Sequence, residues 1–513
     1  MSQNRRYEPL FARAFPEVVK QCGFTLPSKF EMVANYKGVS KYSMVSDKWD
    51  DYNLGPIKAW LLQRYAGKCK TKKLATEEEV FQEMDKTTSL GCPMNKKFRD
   101  KVMWGQSHRI ADMRKFNRRI DESAVGECLF VFNSFSKNEA LILRKILADE
   151  LRQISGADSR GNIAIGVFSK GFNDKYVGDY VTGWSRAGVP IQHGGWHWLY
   201  TKHSRGGRFK HAIEIDIKKH DASMARVLML LVWYLRVCAG PKLTQKQKIR
   251  WYKLVLAVID AYIILPDGVV IRKSGGNCSG NYNTLVDNGL ITEIYLVVVW
   301  IELSRAQGLS TREIDEFLEA SIVGDDVLCT HDDCIMQWFT PQAIVKVLAD
   351  FGVQAEARKV LLADAQFLSH RFQFYPSRKT VVPYPVNCHK AVANVLSPPV
   401  EYLDPTPNYP MLLARCLAQR NRFFADATDE VQSYWELFDE VADLYRSRAY
   451  EQRSVYPQEY ATAMSLDVPA FEVAGLYCPV LEGLGQGESP NLALSKAMCE
   501  AGAPRLAMHL VIA

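Results

Sequence analysis

The hydrophobic pattern of this chain changes character twice. Residues 1 to about 205 mix short apolar segments with basic clusters, among them Arg109, Arg114, Lys115, Arg118 and Arg119, whose spacing suits the solvated face of a helix. From about 206 to 385 strand signals dominate: His211–Ile217 alternates apolar and polar residues, while Ser321–Thr330 and Phe367–Tyr375 are rich in β-formers. Long apolar helical runs separate these strands, and the interleaving predicts an α+β fold. The longest apolar runs, Val227–Leu235 and Ile294–Ile301, fall well short of the roughly 18 to 20 residues that cross a bilayer, so they read as core helices. Between Ser397 and Pro410 five prolines rule out a continuous helix or central strand and mark a boundary. Beyond it Met411–Phe424 and Thr428–Arg448 carry apolar residues at helical spacing, and a glycine-rich stretch, Gly483–Gly487, precedes the tail.

Composition adds bounds rather than identity. With 513 residues, 47% of them hydrophobic and 24% charged, the chain can bury a large core divided among more than one unit. The net charge of +7 suits a locally basic channel without proving a polyanionic partner. Twelve cysteines without a C-x-x-C pair read as free thiols in a reducing compartment. Cys329, His331 and Cys334 lack a fourth ligand and read as strand and turn rather than a zinc site. No apolar segment follows Arg5 and Arg6, so neither a signal peptide nor a membrane anchor is expected, and the protein should be cytosolic or held at membranes by partners.

Three segments carry chemistry. In Val323-Gly324-Asp325-Asp326-Val327, two acids sit between β-formers, the pattern of a tight hairpin with the carboxylates at its tip and Gly324 relieving the turn. Asp216, at the end of the His211–Ile217 strand, could face Asp325 across neighbouring strands. Carboxylates about 4 Å apart repel by roughly 4 kcal/mol at an effective dielectric of 20, a repulsion that a divalent cation relieves. Hard oxygen ligands suit Mg²⁺ or Mn²⁺, and a pair of such ions can activate an attacking hydroxyl and stabilise a leaving pyrophosphate. The third segment, Ser274–Thr284, is a glycine-rich loop feeding a long apolar helix, with Ser279, Thr284 and Asn288 offering hydroxyl and amide partners. No Lys-Ser or Lys-Thr follows its glycines, which excludes a P-loop.

Asp216-x4-Asp221, then SGGNCSGNYNTLVDN, then GDD, in that order, resemble motifs A, B and C of the RNA-dependent RNA polymerases of positive-strand RNA viruses. Thr88–Pro93, with Ser89 and Gly91, is similar to motif G at the template entrance, and Lys137, Arg144, Lys145 and Arg152 are similar to the motif F cations beside the incoming triphosphate. Leu348–Gly352 followed by Ala355–Lys359 resembles motif D, and Phe367–Phe372, with Leu368 and Arg371, resembles the primer-grip motif E. The resemblance spans about residues 88 to 375, closest in flavour to the picornavirus, calicivirus, astrovirus and potyvirus supergroup. Two features depart from the family pattern: a longer insertion between Glu139 and Arg152, and Lys218, Lys219 and His220 where an aromatic is common.

The resemblance implies a right-hand polymerase: fingers over 1–205 and 240–273, palm over 206–239 and 274–385, and a helical thumb with a C-terminal tail over 386–513. It implies that Asp216, Asp325 and Asp326 hold two Mg²⁺ or Mn²⁺ ions and that Lys359, in a mobile loop after Gly352, protonates the leaving pyrophosphate. Asp221, Ser279, Thr284 and Asn288 are expected around the NTP ribose, and Gly280 with Ser89, Gly91, Leu368 and Arg371 along template and primer. The expected partners are template and product RNA, NTPs, a viral primer protein and other replicase proteins in host-cell cytoplasmic replication complexes. A reverse transcriptase-like DNA polymerase would share the acids, but Asp221 and Asn288 favour ribose; a catalytically silent RNA-binding replicase scaffold would not need Asp216 and Asp325 intact.

Overall fold

The computed structural model describes residues 8–473 except 22–25, 28–31, 44–46, 87, 138, 192–193, 376–378, 399–401, 404, 425–428 and 470–471. Asn138, next to Lys137, and the glycine-rich stretch Gly483–Gly487 lie outside the described residues. Helices and sheets are mixed along the chain, as an α+β fold requires. First in sequence come β1 (Leu26–Pro27), β2 (Val131–Ser136), β3 (Ala140–Leu141) and β4 (Gln153–Ala157). The central sheet begins with β5 (His211–Ile217), after which β6 (Tyr262–Ile264) and β7 (Val270–Arg272) extend the sheet of β4 and β2. Then β8 (Leu318–Val323), β9 (Asp326–His331) and β10 (Ala355–Leu361) complete the central sheet in the order β10-β5-β9-β8, antiparallel throughout. Finally β11 (Gln366–Phe367), β12 (His370–Tyr375) and β13 (Thr380–Pro385) form a separate three-stranded sheet.

Alternation fixes which face of β5 is dry. Ile213, Ile215 and Ile217 enter the main apolar core, so Glu214 and Asp216 must emerge on the opposite face. The helix Thr284–Ser304 packs against the sheet's dry side and is apolar nearly all round, as a fully enclosed helix is. With its extension to Gln307 it is long and apolar enough to cross a membrane, but 78% of its most apolar window is buried inside the protein, which makes it a core helix.

One apolar cluster runs from Val39 through Phe132, Ile215, Leu254 and Val297 to Val353, so the divisions expected near 205, 239 and 273 are not breaks in packing. A second cluster gathers the helices Cys388–Leu396, Tyr409–Arg420, Asp429–Glu451 and Pro457–Leu466. The N-terminus is a correction to the expected layout: Phe11 is fully buried in that second cluster, with Leu10, Phe15, Val18 and Val19 against it. Glu8 fastens the attachment, its N–H donating to Leu396 O at 2.8 Å and its carboxylate accepting from Tyr445 Oη at 2.7 Å.

Candidate active site

The β5–β9 register sets Asp216 opposite Asp326, and the β5–β10 register sets it opposite Glu356. Three carboxylates therefore share one row of the sheet, and like charges on directly opposed residues repel. Asp325 stands beside them in the two-residue loop between β8 and β9, where Gly324 takes φ +65°, a conformation that costs glycine little. Lys218 answers part of the charge, its ammonium contacting Asp216 and lying 3.1 Å from Glu356. The residual excess shows at Asp326: burial, reinforced by Asp325, Asp216 and Glu214, raises its carboxyl to about 6 although it accepts a hydrogen bond from Leu368 N. A cleft of about 700 Å³ opens over this face, lined by Glu214, Asp216, Asp325, Asp326, Glu356 and Arg358 among others. Among the described residues no three His, Cys, Asp or Glu side chains are gathered into a finished metal cage. The crowded, uncompensated oxygen donors nevertheless fit a hard divalent cation in their chemistry.

Asp326 is held from the far side. Leu368 and Ser369, both left-handed at φ +50° and +60°, form the turn between β11 and β12, and Leu368 N donates to Asp326 Oδ2 at 2.8 Å. Two consecutive non-glycine residues in this region are uncommon, and here the strained turn aims a backbone donor at an acid. Arg371 is exposed on β12, its carbonyl accepting from Trp196 Nε1 at 3.1 Å.

Asp221 and Asn288 meet through a residue the sequence did not single out. Asn277 N donates to Asp221 O at 2.6 Å, and Asn277 Nδ2 donates to Asn288 Oδ1 at 3.0 Å. The Asp221 carboxylate is paired with Lys41 at 2.6 Å, an N-terminal partner with no local sequence signal. Lys273 organises the same loop from below, its buried ammonium donating to the carbonyls of Val258, Ile259, Gly275 and Gly276.

Ser279 and Thr284 tie the loop to its framework, and Ser279 stays exposed with its own hydroxyl proton uncommitted. Ser279 Oγ accepts from Ser155 N at 2.9 Å, and the Thr284 hydroxyl faces Cys278 O and Asn281 O, at 2.9 and 2.8 Å. Gly280 is required by closeness: a Cβ there would fall 2.4 Å from Ser155 O. Asn162 straps the loop down by donating to Gly280 O and accepting from Tyr282 N. Gly91, at φ +74°, would place a Cβ 2.0 Å from Ala157 O, so it too seats a loop against β4, while Ser89 beside it is exposed.

Lys137 and Arg152 close the β2–β4 pair and lie 3.4 and 3.8 Å from Glu139. Arg144 and Lys145 stand apart from them, exposed on the short helix Leu143–Leu147. Lys390, from the C-terminal helices, joins this charge cluster. Burial, together with the positive charges of Lys137, Arg152 and Arg422, holds its ammonium below the ordinary lysine range against the opposing pull of Glu139.

Lys359 is not brought to the cleft. The segment expected to be a mobile loop is strand β10, in which Lys359 pairs with Ile213, three residues or about 10 Å along the strand from the Asp216 position. Period-2 alternation turns it to the face opposite Asp216, where its ammonium lies 2.6 Å from Met336 Sδ. Arg358 takes the cleft face instead, 2.5 Å from Glu214. Of the Cys329, His331 and Cys334 trio, Cys329 is buried in the core and Cys334 is exposed.

The sequence pattern of the family described as viral RNA-dependent RNA polymerase matches residues 26–381, more than half of the chain. Among curated proteins, non-structural polyprotein 1AB of Mink astrovirus 1 is 24% identical over 198 residues, covering 37% of this chain and 14% of that one. The genome polyprotein of Lettuce mosaic virus (strain E) is 24% identical over 253 residues, 49% of this chain and 7% of the relative. Non-structural polyprotein 1AB of Human astrovirus-1 is 24% identical over 277 residues, 52% of this chain and 18% of the relative. The chain thus spans only a small part of the length of the polyproteins it matches.

Proposed function

The chain belongs to the viral RNA-dependent RNA polymerases, and from that premise we propose that its acidic cleft copies an RNA template by joining NTPs to an RNA 3′-hydroxyl. The observation that carries the reading is the row Glu356, Asp216, Asp326 with Asp325 beside it, opening into one cleft next to the loop that joins Asp221 to Asn288. Asp216, Asp325 and Asp326 would hold two Mg²⁺ or Mn²⁺ ions, which when bound favour ionisation of the 3′-hydroxyl and stabilise charge on the leaving pyrophosphate. Around that centre the chain's own groups position the substrate. Asp221 and Asn288, spaced by Asn277, read the ribose 2′-hydroxyl; Lys137 and Arg152 attract the triphosphate; Arg358 supplies positive charge on the cleft wall. The 3′-oxygen attacks the α-phosphate in line and pyrophosphate departs.

In this reading the central sheet and its helices, 206–239 and 274–385, are the palm; 240–273 and most of the first 205 residues are fingers; and 386–473, with the N-terminal helices packed on it, is the thumb. Template RNA passes along the Ser89–Gly91 loop and product RNA along the β11–β12 turn. Other viral replicase proteins, a primer protein among them, are the expected partners, in replication complexes of the host cytoplasm. The supporting observation for partners is that the matching relatives are polyproteins, of which this chain matches a segment. RNA synthesis on a defined template, with and without an annealed primer and with NTPs or dNTPs, tests the reading. Template-dependent incorporation of NTPs is expected, and failure to incorporate NTPs under either condition, with RNA still bound, would leave a silent scaffold.

A further inference from the structure

The turn that carries Asp325 has little to lean on. A Cβ placed at Gly324 would meet nothing within 4 Å, so side-chain packing does not set the height of that residue. Its carbonyl is tethered instead: Thr292 Oγ1 lies 2.6 Å from Gly324 O. Thr292 is fully buried on the helix Thr284–Ser304, one turn beyond Asn288. The same hydroxyl lies 2.9 Å from Nε2 of His220, which is 3% exposed and sits between the Asp216 strand and Asp221.

Proton counting gives this chain a direction. A threonine hydroxyl has one proton, and the Gly324 carbonyl can only accept, so Thr292 donates to Gly324 and must accept from His220 Nε2–H. The imidazole is thereby fixed as the Nε2–H tautomer, and its buried Nδ1, which has no hydrogen-bond partner among the described residues, is a bare lone pair. Protonation would bury a second N–H without an acceptor. In agreement, burial lowers the His220 ring to about 4 despite the opposing pull of Asp325 and Asp221. The edge of the ring against Tyr295, at 6.0 Å and 88°, holds its plane.

We propose that His220 and Thr292 are positioning residues that fix the Gly324–Asp325 turn relative to the Asp216–Asp221 segment and the Asn288 helix through one buried hydroxyl. Asp326 has its own tether in Leu368 N, so this relay is the corresponding hold on the Asp325 side. The inference rests on the catalytic reading of Asp216 and Asp325.

The test compares Thr292→Val, which keeps shape and removes the hydroxyl, with Thr292→Ser, which keeps the hydroxyl, and with His220→Gln, whose amide can replace the Nε2–H donor. Hydrogen exchange of the peptide spanning residues 322–327 is measured on the metal-free protein, alongside RNA affinity and single-nucleotide incorporation across a Mg²⁺ titration. Thr292→Val should speed exchange at the turn, raise the Mg²⁺ requirement and lower the maximal incorporation rate by about tenfold to a hundredfold, the scale of a small misplacement of a reacting group, with RNA affinity unchanged. Thr292→Ser and His220→Gln should stay close to wild type in all of these. Wild-type exchange and Mg²⁺ dependence in Thr292→Val, or equal losses in Thr292→Val and Thr292→Ser, would overturn the relay. Should Thr292→Val unfold, His220→Phe, which keeps the ring and removes the donor, must reproduce the exchange and Mg²⁺ effects or the relay fails. An active Asp325→Ala protein would instead overturn the catalytic reading itself, which separates the two failures.

Discussion

Asp216 has a carboxylate on either side of it in the sheet, and the charge of that row has to be answered from the cleft. At about 5 Å and an effective dielectric of 20, each neighbouring pair costs roughly 3 kcal/mol when fully ionised. Among the cations nearby, strand parity separates two adjacent ones. Arg358→Leu should lower the maximal incorporation rate by about tenfold or more, because it removes a charge from the cleft wall and unpairs Glu214. Lys359→Leu, on the other face, should change it by no more than about twofold. Rapid-quench single-nucleotide incorporation measures both, and a larger loss from Lys359→Leu would reverse the assignment. At the ribose, Asn277→Ala should narrow the NTP over dNTP preference by about tenfold or more, as Asn288→Ala should, because it removes the amide that holds Asn288 while the backbone bond to Asp221 stays. Unchanged discrimination in both variants would remove the loop from sugar recognition. The acids are legible because two adjacent aspartates between β-formers and one at the end of an alternating strand fall, with the glycine-rich loop between them, in the order of the family's motifs, whereas Asp216 alone would pass for a surface salt bridge. Asn277 and Lys41 are not legible, since a lone amide and a lone lysine carry no periodic signal.

The helix Thr284–Ser304 shows how an element can be legible while its anchors are hidden. Its apolar run marked it as a core helix, but the two acids buried on it are each met by a distant element. Asp287 pairs with Arg236 at 2.6 Å, both essentially inaccessible, and accepts from Trp233 Nε1 at 3.0 Å. Glu293 accepts from Tyr65 and Tyr176, and burial holds its carboxyl above the ordinary range. Arg236→Met would leave Asp287 buried without its cation and should destabilise the fold by about 3 to 5 kcal/mol. Adding Asp287→Leu should restore much of that loss in urea unfolding, and a double variant no more stable than the single would show that the pair is not the cause. Strand β10 is hidden in the sequence for a different reason. It is an edge strand of the central sheet, with Glu356 and Arg358 on one face and Lys359 on the other. Charges of this kind protect a sheet edge from pairing with another chain, and they also erase the alternation by which a strand is recognised. The β11–β12 turn carries no sequence signal, because Leu-Ser lacks the glycine or asparagine that ordinarily marks two left-handed residues.

Across the whole molecule, the two ends of the described chain are one structure. Residues 8–19 lie on the C-terminal helices, and Leu26–Pro27 pairs with Ala140–Leu141 beside Lys137, so a short N-terminal run connects the helical cluster with the basic strand pair. No sequence pattern announces such a long-range tie, because Leu10, Phe11, Phe15, Val18 and Val19 mark apolar helix faces without saying which distant element covers them. Phe11→Ala should cost the helical cluster about 3 to 5 kcal/mol through the cavity it leaves. Hydrogen exchange in the helix Asp429–Glu451 should rise accordingly while β5 keeps its protection, and equal loosening of both would mean that the clusters unfold together. The placement of Asp216 on β5 and of Asp325 in the adjoining β8–β9 turn, over one cleft, is the central claim. Its most direct test is single-nucleotide incorporation on a primed RNA template by purified Asp216→Ala and Asp325→Ala proteins in Mg²⁺, with RNA binding measured on the same preparations. Incorporation is expected to vanish in both with RNA affinity retained, whereas substantial incorporation by either protein would contradict the account.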